Sequence, residues 1–229
     1  MKLGEGIDHL VELCGCWHRL PAQYLIQKLT RNGTVPMTVV RAGREVKVEL
    51  PVVTRREQLI ESLRGRYPSY FVYGPLAFTP VTAEFLAGVE RAGNQFFSIL
   101  SALGSPLVLR RGDRPAFPGE ELVVVAAPMF PHRTGKGYSN PFIRVVHEVN
   151  GVRVKNLRHL VELLRDSKEK FTTIGFYEKG SETLVFDRGE ALSATDDVLN
   201  DNGIRQRASD DLIAVWNGKP EEAKSGGGR

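Results

Sequence analysis

One passage, EVNGVRVKNLRHLVELLR at residues 148–165, restricts the folds open to this chain more than any other. A β-branched run stops at Asn150-Gly151, a dipeptide suited to a tight turn because both residues tolerate positive φ. Two residues alternate after it, and a leucine-rich helix carrying His159 follows at once. Three kinds of protein place a turn, a short step and a helix in this order. One puts a catalytic histidine on the helix, one cradles a nucleotide at the turn, and one holds a ligand between a strand and the helix.

Composition removes several classes before the motifs are weighed. The chain has 229 residues, enough for one large or two small domains, with 41% hydrophobic and 25% charged residues. No apolar run approaches the roughly 20 residues that cross a bilayer, so no membrane segment is expected. The N-terminus, MKLGEGIDHLVELCGCW, has acidic residues within its apolar part and no small-residue cleavage site, and is not a signal peptide. The net charge of +4 is unevenly spread: residues 1–66 hold 11 Lys+Arg against 7 Asp+Glu, and residues 187–229 hold 6 against 9. The densest basic cluster, Arg55-Arg56 with Arg64 and Arg66, reads as a solvated linker, and no nucleic-acid partner is expected. Cys14 and Cys16 are too close for an unstrained disulfide, and with His9 and His18 they match no zinc-finger spacing. Two reduced cysteines and no metal are expected, with the compartment left unknown and the cytoplasm as the default.

Periodicity shows one half-module twice. Residues 21–30 read as a short helix with Leu25, Ile26 and Leu29 on one face, followed by strands 37–41 and 45–53 around Ala42-Gly43. The order returns as helix 157–165, strand 171–177, a turn at Lys179-Gly180 and strand 183–187. The steps from Leu29 to Gly43 and from Leu164 to Gly180 are nearly equal, as in two copies of one small fold. The second copy also has an upstream half. Residues 70–82 are strand-like with a Gly74-Pro75 break, 85–103 form a helical excursion, 121–127 an apolar strand, and 143–149 a strand alternating into the turn. The first copy has only residues 1–20 in that place, too few for several strands, and reads as cut in half. Residues 190–199 form a helix with Ala191, Ala194 and Val198 inward, and 219–229 lack the apolar content to fold.

Catalytic chemistry is weakly encoded. A serine hydrolase needs an exposed serine in glycine-rich surroundings, and the nearest approach is Leu103-Gly104-Ser105-Pro106, where the proline argues against a nucleophile turn. His147 within a strand and His159 within a helix have no visible catalytic partner. Thr134-Gly135-Lys136-Gly137 lacks the spacing of a phosphate loop, and no helix follows it. Arg111-Gly112-Asp113 reads as a polar loop. No catalytic residue and no cofactor is expected.

Strand addition beside a helix remains. Such a module needs N–H groups at the start of a strand to hold a carboxylate, and apolar side chains on strand and helix to hold a peptide's last residue. Leu76, Ala77 and Phe78, opening a strand after Gly74-Pro75, and Leu160 with Leu163 or Leu164 on the later helix supply those parts. Here the sequence resembles PDZ domains. PLAF at 75–78 stands in register with their Gly-Leu-Gly-Phe carboxylate loop, and the passage through Asn150-Gly151 is similar to the stretch leading into their groove helix. Pro75 replaces the first glycine and Ala77 the second, which narrows the loop but leaves the N–H groups of residues 76–78.

The stretches YFVYGPLAFTPVTAEFL, VNGVRVKNLRHLVELL and EALSATDDVLNDNGIRQRASDDL together resemble the C-terminal half of Deg/HtrA-type serine proteases, the plant-like Deg group in particular, over about residues 20–212. In that family a trypsin-like domain precedes two PDZ domains, the second with an insert. The resemblance implies a mixed α/β, mainly β fold: a PDZ-like partly open barrel flanked by helices, preceded by a partial second PDZ-like unit. The expected plan is a partial first domain at 1–58, a linker at 59–69, and an atypical PDZ domain at 70–190 with an insert at about 85–120. A helical extension at 191–215 and a disordered tail at 216–229 complete it. The protease domain and the upstream half of the first PDZ domain are absent, so the chain reads as a truncation of a longer pattern. The implied function is a non-catalytic region for substrate or C-terminal peptide recognition, regulation and oligomer assembly, with a stand-alone PDZ adaptor as the alternative. Implied partners are protein C-termini or extended peptides, further copies of the chain, or a protease domain, and neither nucleic acid nor membrane. The competing expectation is a groove blocked by the insert or by the first copy.

Overall fold

A computed structural model of the chain describes residues 8–13, 16–21, 28, 30–52, 57–91 and 93–218. The chain divides into two units, residues 1–56 and 57–229. The apolar face expected of helix 21–30 (Leu25, Ile26 and Leu29) and the tail from 219 onward lie outside the described residues.

The first unit contains two antiparallel hairpins. β1 (Asp8–Leu13) pairs with β2 (Cys16–Pro21), Leu13 opposite Cys16. Sequence reading finds no strand here because DHLVEL and CWHRLP do not alternate apolar with polar residues. β3 (Thr34–Arg41) and β4 (Arg44–Pro51) pair across Ala42-Gly43. Their φ values of 50° and 75° are the two positive angles of a type I′ turn, which matches the twist of the flanking strands.

The second unit holds two sheets and, among the described residues, six α-helices. β5 (Phe71–Tyr73), β6 (Leu76–Pro80) and β7 (Val123–Val125) form an antiparallel sheet with β6 in the middle. β8 (Val146–Val149), β9 (Val152–Arg153), β10 (Phe171–Phe176) and β11 (Leu184–Asp187) form another, in the order β11-β10-β8-β9. A bridge between Val124 and Val145 joins the sheets without closing a barrel. Helices α1 (Ala83–Arg91), α2 (Asn94–Ala102) and α3 (Pro106–Leu109) form the insert. Then come α4 (Leu157–Asp166), α5 (Arg188–Asp201) and α6 (Asp210–Trp216). This is the mixed, partly open arrangement that the resemblance implied.

The opening passage folds by three local rules. Asn150 and Gly151 take φ of 49° and 72°, another type I′ turn, with Val149 opposite Val152. Asn150 Oδ1 accepts the N–H of Thr173 at 2.7 Å and its Nδ2 donates to Ser167 at 3.1 Å, tying the turn to β10 and to the end of α4. Asn156 caps α4, its Oδ1 accepting the N–H of His159 at 2.8 Å, and the buried Leu157, Leu160, Val161 and Leu164 follow at spacings of three and four.

Two cores result. β5, β6, α4, β10, β11, α5 and α6 contribute to one, and the insert helices pack with Val81, Val124, Ile143 and Val145 in the other. β7 serves both, because a strand turns successive side chains to opposite faces: Val123 and Val125 enter the first core and Val124 the second. Leu59 and Ile60 are buried in the second core, and Glu84 accepts the hydroxyl of Ser62 at 2.6 Å and the N–H of Leu63 at 2.9 Å, so residues 59–63 are fastened to the insert.

Candidate functional site

The residues expected to form a peptide groove do come together. Leu76, Phe78 and Leu160 are fully buried, Leu164 is 1% exposed, and all four belong to the first core. Ala77 and Leu163 are half-buried. Strand and helix therefore meet through the side chains that sequence spacing singled out. Their surroundings differ from an open groove.

Both edges of β6 are taken by the chain itself. On one side Phe78 faces Phe71, Ala77 faces Val72 and Leu76 faces Tyr73, and on the other Phe78, Thr79 and Pro80 face β7. Gly74 has φ 54° and precedes proline, which fits the two-residue turn in which only the first central residue takes positive φ. Val72 sends its N–H outward to the carbonyl of Arg207 at 2.8 Å, so Phe71 and Tyr73 turn theirs toward β6 and engage Phe78 and Leu76. Ala77 faces the other way, its carbonyl accepting the N–H of Ala126 at 2.8 Å. The N–H groups of Leu76 and Phe78 thus face β5 and that of Ala77 the opposite edge, so the three do not converge. The turn before them is held as well: Gly74 donates to Thr195 Oγ1 at 2.7 Å, and the carbonyl of Pro75 accepts from Phe130 at 2.9 Å.

The outer edge of β5 is covered in turn. Ala208 lies opposite Phe71, and Ser209 donates its N–H to the carbonyl of Tyr70 at 3.1 Å. α6 then lies on α4, burying Leu212 and Val215 in the first core. The Trp216 ring stands 5.3 Å from that of Phe71, and the Arg207 guanidinium lies 4.9 Å from the Trp216 ring. Arg165 Nη1 donates to the carbonyl of Val215 at 2.5 Å, near the helix's C-terminal end where cations are favourable. The cover comes from 70–73 and 207–216, while the insert helices belong to the second core. The signal for α6 was present in SDDLIAVW, where Leu212, Val215 and Trp216 share a face; nothing local announces that 207–209 pairs with β5.

The residues set aside as catalytic candidates have structural partners. Ser105 is fully buried, accepts at the start of α3 and donates to Glu178 at 2.7 Å. His159 Nδ1 accepts the N–H of Lys155 at 3.2 Å, and burial followed by the charge of Lys155 depresses its pKa. His147 stacks edge-on against Tyr177 at 4.4 Å. Burial raises the Glu121 carboxyl, which accepts the N–H of Leu157 at 3.1 Å and so holds the start of α4. Among the described residues no helix is long and apolar enough to cross a membrane.

Residues 61–211, about two thirds of the chain, match the family model of a PDZ domain. The chain belongs to the PDZ family. It is similar to Protease Do-like 2, chloroplastic, of Arabidopsis thaliana, at 25% identity over 199 residues, covering 86% of this chain and 31% of that protein. It is also similar to two proteins of the same plant named as putative proteases. Putative protease Do-like 12, mitochondrial, is 22% identical over 88% of this chain and 34% of its own length. Putative protease Do-like 3, mitochondrial, is 24% identical over 85% and 32%. The chain spans about a third of the length of these curated relatives, and the PDZ module that it matches is non-catalytic.

Proposed function

We propose that this chain is a protein-recognition and assembly region of a Do-like protease system, with no hydrolysis of its own. The observation that carries this reading is the pairing of β6 on both edges by the chain's own strands, in a domain whose family binds peptides and proteins. Docking to a protease domain or to further copies of the chain uses the outer surface of this self-paired module. A C-terminal peptide reaches Leu76, Ala77 and Phe78, with Leu160, Leu163 and Leu164 as the apolar wall, only by displacing β5 together with its cover at 207–216. Peptide recognition is then a competition between an incoming strand and a tethered one, and affinity is reduced by the fraction of time that the cover is open.

A titration separates the cases. Peptides with a free C-terminus, and the same peptides amidated, are added to the full chain and to a Leu212→Ser, Val215→Ser variant with a loosened cover. Amide shifts at 76–78 are expected in the variant at lower peptide concentration than in the unaltered chain, with the free acid preferred because charged acceptors make the stronger hydrogen bonds. Equal affinity in both chains, with amide protons of 207–216 equally protected throughout, would discard displacement. Hydrolysis of casein by the pure chain would discard the non-catalytic assignment.

A further inference from the structure

The two edges of the β3–β4 ribbon are not equivalent. Val35 lies opposite Leu50, Met37 opposite Val48 and Val39 opposite Val46, so these side chains share one apolar face. Val35 is 4% exposed but Val46 is 40% and Leu50 45%, which leaves that face open toward β4. The two-residue turn makes Arg41 and Arg44 a hydrogen-bonded pair, and every second pair beyond it is hydrogen-bonded too. The residues between, Pro36 and Thr38 on β3 and Lys47 and Glu49 on β4, therefore point their backbone groups outward. Pro36 has no N–H to offer, which blunts the β3 edge. Lys47 and Glu49 are exposed and keep theirs, and among the described residues no other strand takes them. A free edge of this kind is a template for a further strand.

Charge along β4 selects which strand. In an antiparallel pair with a second β4, centred on Val48 opposite Val48, Lys47 faces Glu49 twice and Val46 faces Leu50 twice. The outward-pointing Lys47 and Glu49 then form the hydrogen-bonded pairs, and the apolar side chains stay on one face. Centring the pair on Lys47 or on Glu49 sets like charges against each other, which is unfavourable. Centring it on Val46 pairs Glu45 with Lys47 but puts Arg44 opposite Val48 and breaks the apolar face. The register about Val48 satisfies charge, backbone and apolar face together.

We infer that β4 is a self-association edge: it pairs antiparallel with β4 of a second copy of this chain about Val48, making one four-stranded sheet in the order β3-β4-β4-β3. A two-stranded ribbon is marginal alone, and the added strands extend the ladder and cover the exposed Val46 and Leu50. Charges on an edge ward off unrelated strands, and here the same charges are complementary to those of a copy. The contact is isologous and closes at two copies. A single strand-to-strand contact lies below the roughly 1,200–2,000 Å² of stable interfaces, so the pairing is weak, with Kd on the order of 0.1–1 mM. This surface belongs to the first unit and goes beyond the docking surface proposed above, which belongs to the second; neither requires the other.

The test follows the full chain from about 10 µM to about 1 mM by sedimentation equilibrium and by amide NMR. Self-association is expected, with concentration-dependent shifts centred on 45–51 and slower amide exchange at Lys47 and Glu49. Lys47→Glu and Glu49→Lys each set like charges opposite one another and should weaken pairing about tenfold. An equimolar mixture of the two variants restores opposite charges at both positions and should recover pairing to within about threefold of the unaltered chain. Damage to the fold would not recover on mixing, and the shifts of the unaltered chain give a readout that needs no variant. A chain still monomeric at about 1 mM, shifts centred outside 45–51, or swaps that weaken pairing without recovery on mixing would overturn the assignment. Self-association that neither swap changes also overturns it, and leaves copies meeting on the second unit. Peptide binding at 76–78 is read separately and stands or falls on its own titration.

Discussion

In the β3–β4 hairpin, eight residue pairs face one another around Ala42-Gly43, yet only Val35 is buried, while Val40 is 71% exposed and Leu50 45%. In the β10–β11 hairpin four pairs suffice, and Ile174, Leu184 and Phe186 are all buried. Length of pairing therefore does not decide what a hairpin contributes. A two-stranded ribbon has two faces and is marginal alone; it gains burial only when a third strand or a helix takes one of them. β10 pairs with β8 as well as β11, and α5 lies against β11, so the shorter hairpin belongs to a core.

The largest effect expected from this contrast comes from matched truncations. Phe78→Ala empties a fully buried position where β6, β5 and β7 meet, and should cost about 3–5 kcal/mol in urea unfolding. Val40→Ala on the exposed hairpin should stay within about 0.5 kcal/mol. A cost above about 2 kcal/mol for Val40→Ala would mean that the β3–β4 face is buried in solution, as by self-association, and would collapse the contrast.

Much of this was legible in the sequence where the cause was local. The turn at Asn150-Gly151 and the leucine-rich helix at 157–165 are read within a few residues, and the structure follows both. The apolar neighbourhood of Leu76, Phe78, Leu160 and Leu164 was legible too, since such residues must be buried somewhere. Whether an edge of β6 is free was not. That depends on Phe71 pairing with Phe78 on one side and Ala208 on the other, and a strand's sequence carries no mark of what pairs with its edge. β1 and β2 escaped for a related reason, since a strand without alternation has no local signature.

The next prediction uses a charge that only a packed unit can perturb. Burial, the largest influence, raises the Glu178 carboxyl above its usual pKa, although hydrogen bonds from Ser105 and Val145 and the charge of Arg144 oppose it. A carboxyl whose folded pKa exceeds its unfolded value favours the folded state in its protonated form. That stability is fully present below the unfolded pKa of about 4.5 and is lost as pH rises through the raised folded value. The unaltered chain should thus lose stability relative to Glu178→Gln as pH climbs from about 4.5 toward neutrality, measured as the difference in urea midpoint. A difference independent of pH over that window would show that Glu178 ionises as freely in the folded chain as in the unfolded one.

The smallest effects separate the turns at Asn150-Gly151 and Ala42-Gly43. Asn150 combines a left-handed φ with three side-chain hydrogen bonds, its Oδ1 accepting the N–H and the hydroxyl of Thr173 and its Nδ2 donating to Ser167. Asn150→Ala loses those bonds and places a Cβ-bearing residue without polar compensation at φ 49°, for an expected cost of about 1–3 kcal/mol. Ala42 already sits at φ 50° with no such bonds, and its neighbour Gly43 meets nothing within 4 Å. Ala42→Gly should relieve the strain of a left-handed alanine, about 1–2 kcal/mol, but glycine also gains freedom in the unfolded chain worth about 0.5–1 kcal/mol. The net expectation is a gain of less than about 1 kcal/mol, visible as slower amide exchange across 34–51 with no change across 146–176. Faster exchange at 34–51 would mean that the open hairpin is limited by chain entropy rather than by turn strain.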